Sequence, residues 1–461
     1  MKNTLHLTLV LLLLAIGEAF AKDSFTANGF TFAVNNDKPI ATLVSYQPDQ
    51  MTDYSQPFHI PATVTHEGKT YAVKRIDNEA FSRISQLQSV VVDEGIESMG
   101  RYVFEGCTNL RSIHLPASLE SVCEGLFACC YSLTSVVVDA KNENLDSRDN
   151  CNAIISTDDD ELVAACAATV IPSSVKTIGK SAFARCTTLE QLTIPEGVKE
   201  IGIDAFAYCS NLKTISLPES LVEIKGNAFA RCTSLQSVFI PKNVEKIWEN
   251  CFAECHDLMS IVVDSANPYF DSRSNCNGIV RKADSALIAS CSATTITDDI
   301  SVLAADCFSG TIRHAVKIPA SVTKIEDGAF HACYQTETFI VDKDNPAYCS
   351  PEGINAILTK DGKTLVAGCL NTIIPAGVET IGAYAFVGRY SRPSLRIPST
   401  VKRIEEGAFV DNTMLSEVII PSSVEYIGDN AFARCTNLAI MHNLSRCNTI
   451  GANAYSHCMN R

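Results

Sequence analysis

The cysteine and histidine side chains of the segment CFAECH could bind a metal ion. Cys251, Cys255 and His256 have the spacing of half a zinc site, and zinc prefers thiolate and imidazole ligands. The same segment fits a pattern A-F-x-x-C that recurs along the chain, with Cys251 in the place of the alanine. Because the repeat accounts for both cysteines, we expect no metal site here.

Two other segments resemble ion-binding motifs. GKS at 179–181 ends like a phosphate-binding loop, but Ser174 stands where that loop needs its first glycine. DDDE at 158–161 could bind calcium, but the equivalent turns read KADS and KDGK, which favours a solvated turn. The motifs G-x-S-x-G and H-E-x-x-H are also absent from the sequence. We therefore predict that the protein is not an enzyme and uses no cofactor.

Nine of the twenty cysteines fall into one position of the repeat, three residues after an aromatic residue. Asparagine and threonine also occur at this position, which indicates a small side chain that satisfies backbone groups. Neighbouring side chains that point in parallel suit disulfide geometry poorly, so we expect free, buried thiols. The nine cysteines are Cys107, Cys130, Cys186, Cys209, Cys232, Cys255, Cys333, Cys435 and Cys458, and the other four repeats have Ile84, Thr311, Arg389 and Asn412.

Two further pairs of cysteines share one spacing, Cys151 with Cys166 and Cys276 with Cys291. In an exported protein such pairs could form disulfide bonds. The third equivalent segment keeps Cys369 but has Ile354 in the place of the first cysteine. That substitution favours an apolar filling role over a disulfide.

The aromatic residues mark a repeat of the form L-x-x-[LIV]-x-[IL]-P-x-x-[VL]-x-x-I-G-x-x-A-F-x-x-C. They are 23 residues apart within blocks, with one step of 22, and 56 apart between blocks, which is 33 more than one repeat. Three insertions of equal length in equivalent places indicate that the insertions are a regular feature of the repeat and not an accident of the sequence. The aromatic residues are Phe81, Phe104, Phe127, Phe183, Phe206, Phe229, Phe252, Phe308, Phe330, Phe386, Phe409, Phe432 and Tyr455.

Each repeat is too short to bury its own apolar side and must stack on its neighbours. In the repeat that starts at Leu189, alternating apolar residues predict a short strand that ends at Ile194, because Pro195 cannot donate to a ladder. The apolar residues that follow should turn inward again; they are Val198, Ile201, Ala205 and Phe206. We therefore expect one strand per coil, stacked into a parallel sheet that offers an extended surface rather than a pocket.

The segment IPSSVKTIGKSAFARCTTLEQLTIP resembles the BspA-like leucine-rich repeat family, whose members are exported proteins of anaerobic bacteria and some protozoa. The resemblance covers roughly Ile76 to Cys458. It implies a right-handed leucine-rich repeat solenoid of the α/β type, mostly β, with a parallel concave sheet. It also implies a role in adhesion to host or microbial surfaces, and it implies no active site.

The ends of the chain lack the repeat. Lys2, the apolar run 5–16 and the small residues around Ala21 predict a secretory signal peptide over 1–21, with no later run of transmembrane length. Residues 22–75 contain two hairpin patterns around Asn28-Gly29 and Glu67-Gly68, which predict a β cap over the first coil of a solenoid at 76–461. At the other end, the last coil is either capped by its own polar groups or docks on a partner.

The three insertions lie at about 139–171, 264–296 and 342–374. In each, two apolar runs flank a polar turn, which predicts a β-hairpin that projects from the solenoid. Loops on a rigid scaffold often carry recognition, so the hairpins are either candidate contacts or decoration of the sheet edge.

One residue in each strand should face outward on the open sheet, and half of these residues are strongly apolar. A contiguous apolar strip would mark a binding surface, but β-branched residues also suit exposed sheets, and the hairpins could fold over them. The outward residues are Val91, His114, Val137, Thr193, Ser216, Phe239, Val262, Lys317, Ile340, Arg396, Ile419 and His442.

The composition gives a formal net charge of −15, which disfavours nucleic acid and anionic membranes as partners. We therefore predict a secreted or cell-surface protein, without membrane insertion, that mediates protein–protein or cell adhesion through its concave sheet and hairpins. Its partner would be an extracellular protein or glycan of a host or neighbouring cell. The alternative is a structural or assembly module of the cell envelope that docks through its last coil.

Overall fold

A computed structural model describes residues 23–35, 38–48, 52–443, 447 and 449–459. The signal peptide predicted at 1–21 lies outside these residues. Regular structure in the described part is almost entirely β-strand, with two 3₁₀ turns at Arg148–Asn150 and Arg273–Asn275 and no α-helix. The solenoid is therefore nearly all sheet, and its returning arcs are built from turns.

The strands follow one another in a regular order along the chain. Up to the first insertion they are β1 (Asp23–Ala27), β2 (Phe30–Asn35), β3 (Ile40–Tyr46), β4 (Phe58–Ile60), β5 (Thr63–His66), β6 (Lys69–Ile76), β7 (Ser89–Val92), β8 (Ser98–Met99), β9 (Ser112–Leu115), β10 (Ser121–Val122) and β11 (Ser135–Val138). Then follow β12 (Leu145–Asp146), β13 (Ala153–Ser156), β14 (Glu161–Ala165), β15 (Thr177–Ile178), β16 (Gln191–Thr193), β17 (Glu200–Ile201), β18 (Thr214–Ser216), β19 (Glu223–Ile224), β20 (Ser237–Ile240), β21 (Lys246–Ile247) and β22 (Ser260–Val263).

The second and third insertions and the coils after them contain the remaining strands. These are β23 (Phe270–Asp271), β24 (Gly278–Arg281), β25 (Ala286–Ser290), β26 (Val302–Leu303), β27 (Ala315–Ile318), β28 (Lys324–Ile325), β29 (Thr338–Val341), β30 (Tyr348–Cys349), β31 (Ala356–Thr359) and β32 (Thr364–Gly368). The last are β33 (Thr380–Ile381), β34 (Ser394–Arg396), β35 (Arg403–Ile404), β36 (Glu417–Ile420), β37 (Tyr426–Ile427), β38 (Ile440–Asn443) and β39 (Thr449–Ile450).

Each coil contributes two strands, where the sequence predicted one. In each coil, the longer strand belongs to one set of sheets, which we call the A sheets. The second strand, of two residues, belongs to another set, which we call the B sheets. The chain divides into two compact units, of which the first runs to Glu190 and includes Ile194–Ser210, and the second comprises Gln191–Thr193 and the residues from Asn211 onward.

The first unit contains the A sheet β4-β7-β9-β11, the B sheet β1-β2-β3-β6-β8-β10 with β5 paired to β6, and a ladder from β12 through β13, β14 and β15 to β17. The A sheets of the second unit are β16-β18-β20-β22, β27-β29 and β34-β36-β38. Its B-sheet ladders are β19-β21, β23-β24-β25-β26-β28 and β30-β31-β32-β33-β35-β37-β39. The A sheet is thus interrupted after β11, β22 and β29, immediately before each insertion.

The N-terminal strands continue both kinds of sheet. β6 pairs with β8 of the B sheet, and β4 pairs with β7 of the A sheet. The hairpins β1–β2 and β5–β6 turn at Asn28-Gly29 and Glu67-Gly68, where all four residues have positive φ, as a type I′ turn requires. The sequence predicted these hairpins and missed β3 and β4. The amide of Tyr46 also donates to the carbonyl of Ala80 in the first arc.

The hairpin insertions do not project, and this part of the prediction was wrong. The hairpin strands β13 and β14, β24 and β25, and β31 and β32 pair as predicted, but the second strand of each hairpin also pairs in parallel with the next coil. Ile154, Ile279 and Ile357 are fully buried. The apolar runs on both sides of each turn explain this placement, because such residues stabilise the fold only when they are removed from water.

A third face of each coil is held by backbone hydrogen bonds between turns. In the first arc the amides of Glu79, Phe81 and Arg83 donate to carbonyls of the next coil, at 2.9, 3.0 and 2.6 Å. Glu79 and Arg83 have positive φ (57° and 64°), so the backbone leaves the right-handed helical region at two positions four residues apart and no helix can propagate. The amides that donate to the next coil all point in one direction along the stack.

The aromatic residue of the repeat forms the centre of the core. Phe81, Phe104, Phe183, Phe229 and Phe409 are all completely buried. Stacked pairs have centroid distances of 5.5 Å for Phe81–Phe104, 5.0 Å for Phe183–Phe206, 5.4 Å for Phe229–Phe252 and 5.2 Å for Phe409–Phe432. Such pairs contribute about 0.5–1.5 kcal/mol each beyond the burial of their area.

Candidate functional site

The outward positions predicted from the strand alternation lie on the solvent side of the A sheets. Ten of the twelve are exposed, and Val91 and Ile419 are half-buried. The exposed ones are His114, Val137, Thr193, Ser216, Phe239, Val262, Lys317, Ile340, Arg396 and His442. Their role in binding stays a prediction.

These positions do not form one strip, because the insertions divide the A sheet. Direct register partners are Val91 with His114 and His114 with Val137, Thr193 with Ser216, Phe239 with Val262, Lys317 with Ile340, Arg396 with Ile419, and Ile419 with His442. The predicted adjacency of Phe239 and Val262 is therefore present. Among these paired positions, two exposed apolar side chains meet only there.

Phe239 and Val262 form the apolar centre of the candidate site. Their neighbours along the strands, such as Val238 and Ile261, point into the core, which leaves the two side chains 49% and 45% exposed. Met259, directly before β22, and Tyr269, directly before β23, are exposed to a similar extent. We call Phe239 and Val262, which lie opposite each other on β20 and β22, the apolar patch.

The edge of β22 next to the insertion is closed by side chains. The amide of Ile261 donates to Asn277 Oδ1 at 2.9 Å, and the amide of Val263 donates to Ser272 Oγ at 3.0 Å. Asn277 Nδ2 in turn donates to the carbonyl of Met259 at 2.7 Å. Because these groups are satisfied, a partner cannot add a strand here and must use the side chains on the face.

An open groove of about 660 Å³ lies beside β22. Val262 of the apolar patch contributes to its wall, together with polar side chains of the second insertion. Those polar residues include Ser265, Asp271, Ser272, Arg273, Asn275, Asn277 and Lys282. The groove therefore combines an apolar wall with hydroxyl, amide and charged groups.

The two positive charges of this groove, Arg273 and Lys282, are neutralised by carboxylates to different extents. Arg273 donates to Asp271 at 2.9 Å and to Ser285 at 2.8 Å, and the bond to Asp271 raises the pKa of the guanidinium. Lys282 Nζ donates to the carbonyl of Asn267 at 2.5 Å and has no ion pair among the described residues. One positive charge in the groove is thus not neutralised by a carboxylate.

The repeated cysteines donate hydrogen bonds to backbone carbonyls, as their sequence position indicated. The sulfur atoms of Cys107, Cys130, Cys209, Cys255, Cys333, Cys435 and Cys458 lie 3.0–3.2 Å from the carbonyl oxygen of the aromatic residue in the preceding coil. Burial raises the pKa of Cys107 and Cys255 to about 12. These groups are therefore unsuited to act as nucleophiles at neutral pH.

All twenty cysteines are free, including the two pairs in the insertions. Cys166, Cys291 and Cys369 occupy equivalent places, and their thiols donate to the carbonyls of Asn152, Asn277 and Asn355. The apolar filling role favoured by the sequence agrees with their burial. The described residues contain no cluster of three or more histidine, cysteine or acidic side chains that could hold a metal ion.

Sequence reasoning missed one set of residues, a buried asparagine in each insertion. Asn267 is fully buried and donates to the carbonyls of Pro241 and Val244, while its Oδ1 accepts from the amides of Tyr269 and Phe270. Asn142 and Asn345 make the equivalent bonds in the other insertions. The signal was available, since the three asparagines stand at the same offset from the repeat.

In the described residues no helix is both long and apolar enough to cross a bilayer. The stacked coils, each with a short A-sheet strand and a turn-built arc, define the class of leucine-rich repeat solenoids.

Comparison with protein families identifies the particular leucine-rich repeat family. The model of the BspA type leucine-rich repeat region matches six copies, at residues 69–154, 165–279, 286–348 and 367–460, and the chain belongs to this family. No curated protein matches the sequence.

Several solved structures are similar to the chain. A leucine-rich cell surface protein of Faecalibacterium prausnitzii is 23% identical, with a TM-score of 0.44, and the match covers 91% of this chain and 94% of that one. A leucine-rich repeat protein of Bacteroides ovatus is 23% identical, with coverage of 95% and 92% and a TM-score of 0.35. The pneumococcal vaccine antigen PcpA is 17% identical, with coverage of 95% and 88% and a TM-score of 0.36.

Proposed function

We propose that this protein is an exported, non-enzymatic adhesion protein that binds an extracellular protein through the apolar patch and the groove beside β22. The exposed contact between Phe239 and Val262 is the observation that carries the proposal. Large aromatic side chains in the centre of a polar rim are typical of binding hot spots. Membership of the BspA type family and the predicted signal peptide support a location outside the cell.

The chemistry of the site favours a protein partner with apolar and acidic side chains. Phe239 and Val262 offer apolar contact area, and Lys282 offers a positive charge that has no carboxylate partner among the described residues. The closed edge of β22 excludes strand addition, so the partner would dock with side chains on the face.

The test is a binding assay of the mature chain on an array of extracellular matrix proteins and host glycans. We expect at least one matrix protein to bind, and Phe239→Asp to weaken that binding at least tenfold, because a carboxylate would be desolvated in the interface. Thr193→Asp, at an outward position of the same A sheet, is the matched control and should bind normally. If Phe239→Asp keeps the circular dichroism spectrum of the unsubstituted protein and binds as tightly, the apolar patch is not the binding site.

A second function, assembly through the last coil, rests on one observation. The amides of Asn430, Phe432 and Arg434 donate to carbonyls of the following coil at 2.7–3.0 Å. The equivalent amides of Asn453, Tyr455 and His457 have no acceptor among the described residues. Light scattering over a concentration series separates the two functions, since a strict monomer that binds no envelope partner would rule out assembly.

A further inference from the structure

Trp248 departs from the repeat in a way that stacking does not require. It is the single tryptophan of the chain and directly follows β21, at the position where six of the twelve other coils have a glycine. Its side chain is 53% exposed. Six other coils fold with no side chain at this position, and the remaining six carry Asp77, Cys123, Lys225, Ala304, Glu326 and Glu405; the glycines are Gly100, Gly179, Gly202, Gly382, Gly428 and Gly451.

The indole ring is held in a fixed orientation. Its Nε1 donates a hydrogen bond of 2.6 Å to Oε1 of Glu223, the B-sheet residue of the preceding coil. The polar edge of the ring is thereby occupied, while half of the side-chain surface remains open to solvent. A rigid aromatic plate of this kind offers contact area at little cost in conformational entropy.

The indole ring of Trp248 lies in an open groove of about 400 Å³ between β21 and the second insertion. Phe270 and Ile288 add apolar surface. Charged side chains of both signs also line the groove: Glu245, Lys246, Glu249, Arg281 and Glu326. The size is within the range of small-molecule sites.

The positive and negative charges that line the groove nearly cancel. Two of these side chains are also paired with charged neighbours. Arg281 makes two hydrogen bonds to Asp284, at 3.0 and 2.7 Å, and Glu326 pairs with Lys324 at 2.7 Å. Glu245 and Glu249 have no ion pair in the described part of the chain. The groove therefore offers both acceptors and donors without a strong net charge.

We propose that this groove binds a neutral oligosaccharide, with one sugar ring stacked on Trp248. Each sugar hydroxyl can donate to a carboxylate and accept from an ammonium or guanidinium group, which suits a groove lined by charged side chains of both signs. A strongly charged ligand would meet like charge in every orientation. The apolar face of the sugar ring would pack on the indole, as Trp packs in other half-wet contacts.

This site is distinct from the one proposed above. Phe239 lies on an A-sheet strand, whereas Trp248 follows a B-sheet strand of the same coil. The two sites can therefore be tested separately, and loss of one leaves the other intact.

The experiment uses the single tryptophan as its own reporter. The mature chain is titrated with neutral tetrasaccharides of glucose, N-acetylglucosamine, xylose, mannose and galactose, and binding is followed by tryptophan fluorescence and calorimetry. We expect a saturable change in emission, with matching heat, for at least one of them. Absence of any response, or a response only to a lysine-rich peptide, would overturn the proposal.

Substitutions in and outside the groove test whether the sugar binds beside Trp248. Trp248→Gly restores the residue that six other coils carry, so it should fold normally and weaken binding at least tenfold by calorimetry. Glu249→Gln, which retains the ring, should weaken binding severalfold, and Phe239→Ala on the A sheet should leave it unchanged. Binding of equal strength by Trp248→Gly would show that the sugar binds elsewhere.

Discussion

The sulfur of Cys209 lies 3.1 Å from the carbonyl oxygen of Phe183, 26 residues earlier, and its thiol donates a hydrogen bond to that oxygen. Both residues are buried, so the thiol satisfies a carbonyl that water cannot reach. Asn412 performs the same task with its Nδ2, 2.9 Å from the carbonyl of Phe386. The position is therefore selected for a hydrogen-bond donor rather than for sulfur chemistry.

Replacement of Cys209 tests this interpretation. Cys209→Ala should lower the free energy of unfolding by about 0.5–1.5 kcal/mol, because the carbonyl of Phe183 loses one of its two donors and keeps only the amide of Cys186. Cys209→Asn, which keeps a donor, should cost less, as the precedent of Asn412 indicates. Urea unfolding monitored by circular dichroism measures both, and equal losses would contradict a hydrogen-bonding role.

The buried thiols should make the fold sensitive to alkali. Burial raises the pKa of Cys107, Cys186, Cys255 and Cys435 from about 9 to about 12. Above pH 9 the unfolded chain releases these protons while the folded chain keeps them, so stability is complete below pH 9 and falls as the pH rises toward 12. Each such thiol costs about 1.4 kcal/mol per pH unit in that window.

The slope of stability against pH between 9 and 11 measures this effect. Replacement of the four cysteines by threonine, which does not titrate and already occupies the position as Thr311, should make the decline less steep. An unchanged slope in the threonine variant would mean that other groups cause the alkaline loss.

The buried asparagines should be essential to the insertions. Asn267→Ala removes partners from two buried carbonyls and two buried amides, and should cost at least about 3 kcal/mol of unfolding free energy. Asn243→Ala, which removes one bond at an exposed site, is the matched control. Hydrogen exchange at the amides of Tyr269 and Phe270 should accelerate in the first variant only, and protection of both amides would contradict the assignment.

Arg389 should destabilise the coil that contains it. Its side chain is 1% exposed, and Nε and Nη1 have no hydrogen-bond partner among the described residues, while Nη2 donates to the carbonyl of Ala385 at 3.1 Å. Burial accordingly lowers the pKa of the guanidinium. Arg389→Met keeps the volume, removes a buried charge and should raise the free energy of unfolding by about 1–4 kcal/mol.

The control for this prediction is Arg434→Met, because Arg434 is exposed and paired with Asp411 at 2.6 and 2.7 Å. A change of less than about 1 kcal/mol is expected there. Thermal unfolding compares the two variants, and a lower melting temperature for Arg389→Met would mean that the guanidinium stabilises the coil.

Much of the repeat could be read from local pattern. The strand at Leu192, the inward turn of Val198 and Phe206, and the outward direction of Phe239 follow from the alternation of side chains along a strand and from the position of proline. The role of the repeated cysteine followed from the residues that replace it. These features depend on residues within one coil or on its nearest copy.

The insertions show where that reasoning failed. Ile154 and Ile279 were correctly placed on hairpins, but their burial depends on pairing between β14 or β25 and a later coil. The hydrogen bond that helps to close the edge of β22 joins Ile261 to Asn277, 16 residues away; the equivalent Asn152 and Asn355 mark the position of this asparagine, but no local pattern indicates its partner.

The sequence by itself determined the coil, its aromatic core and the side of the strand that faces solvent, because each depends on a short period of side-chain directions. The tertiary structure alone decided that the insertions interrupt the A sheet, that Phe239 and Val262 are left as an isolated apolar pair, and that Trp248 borders a groove. Those outcomes depend on which distant backbone groups find hydrogen-bond partners, and many pairings are compatible with the same local pattern.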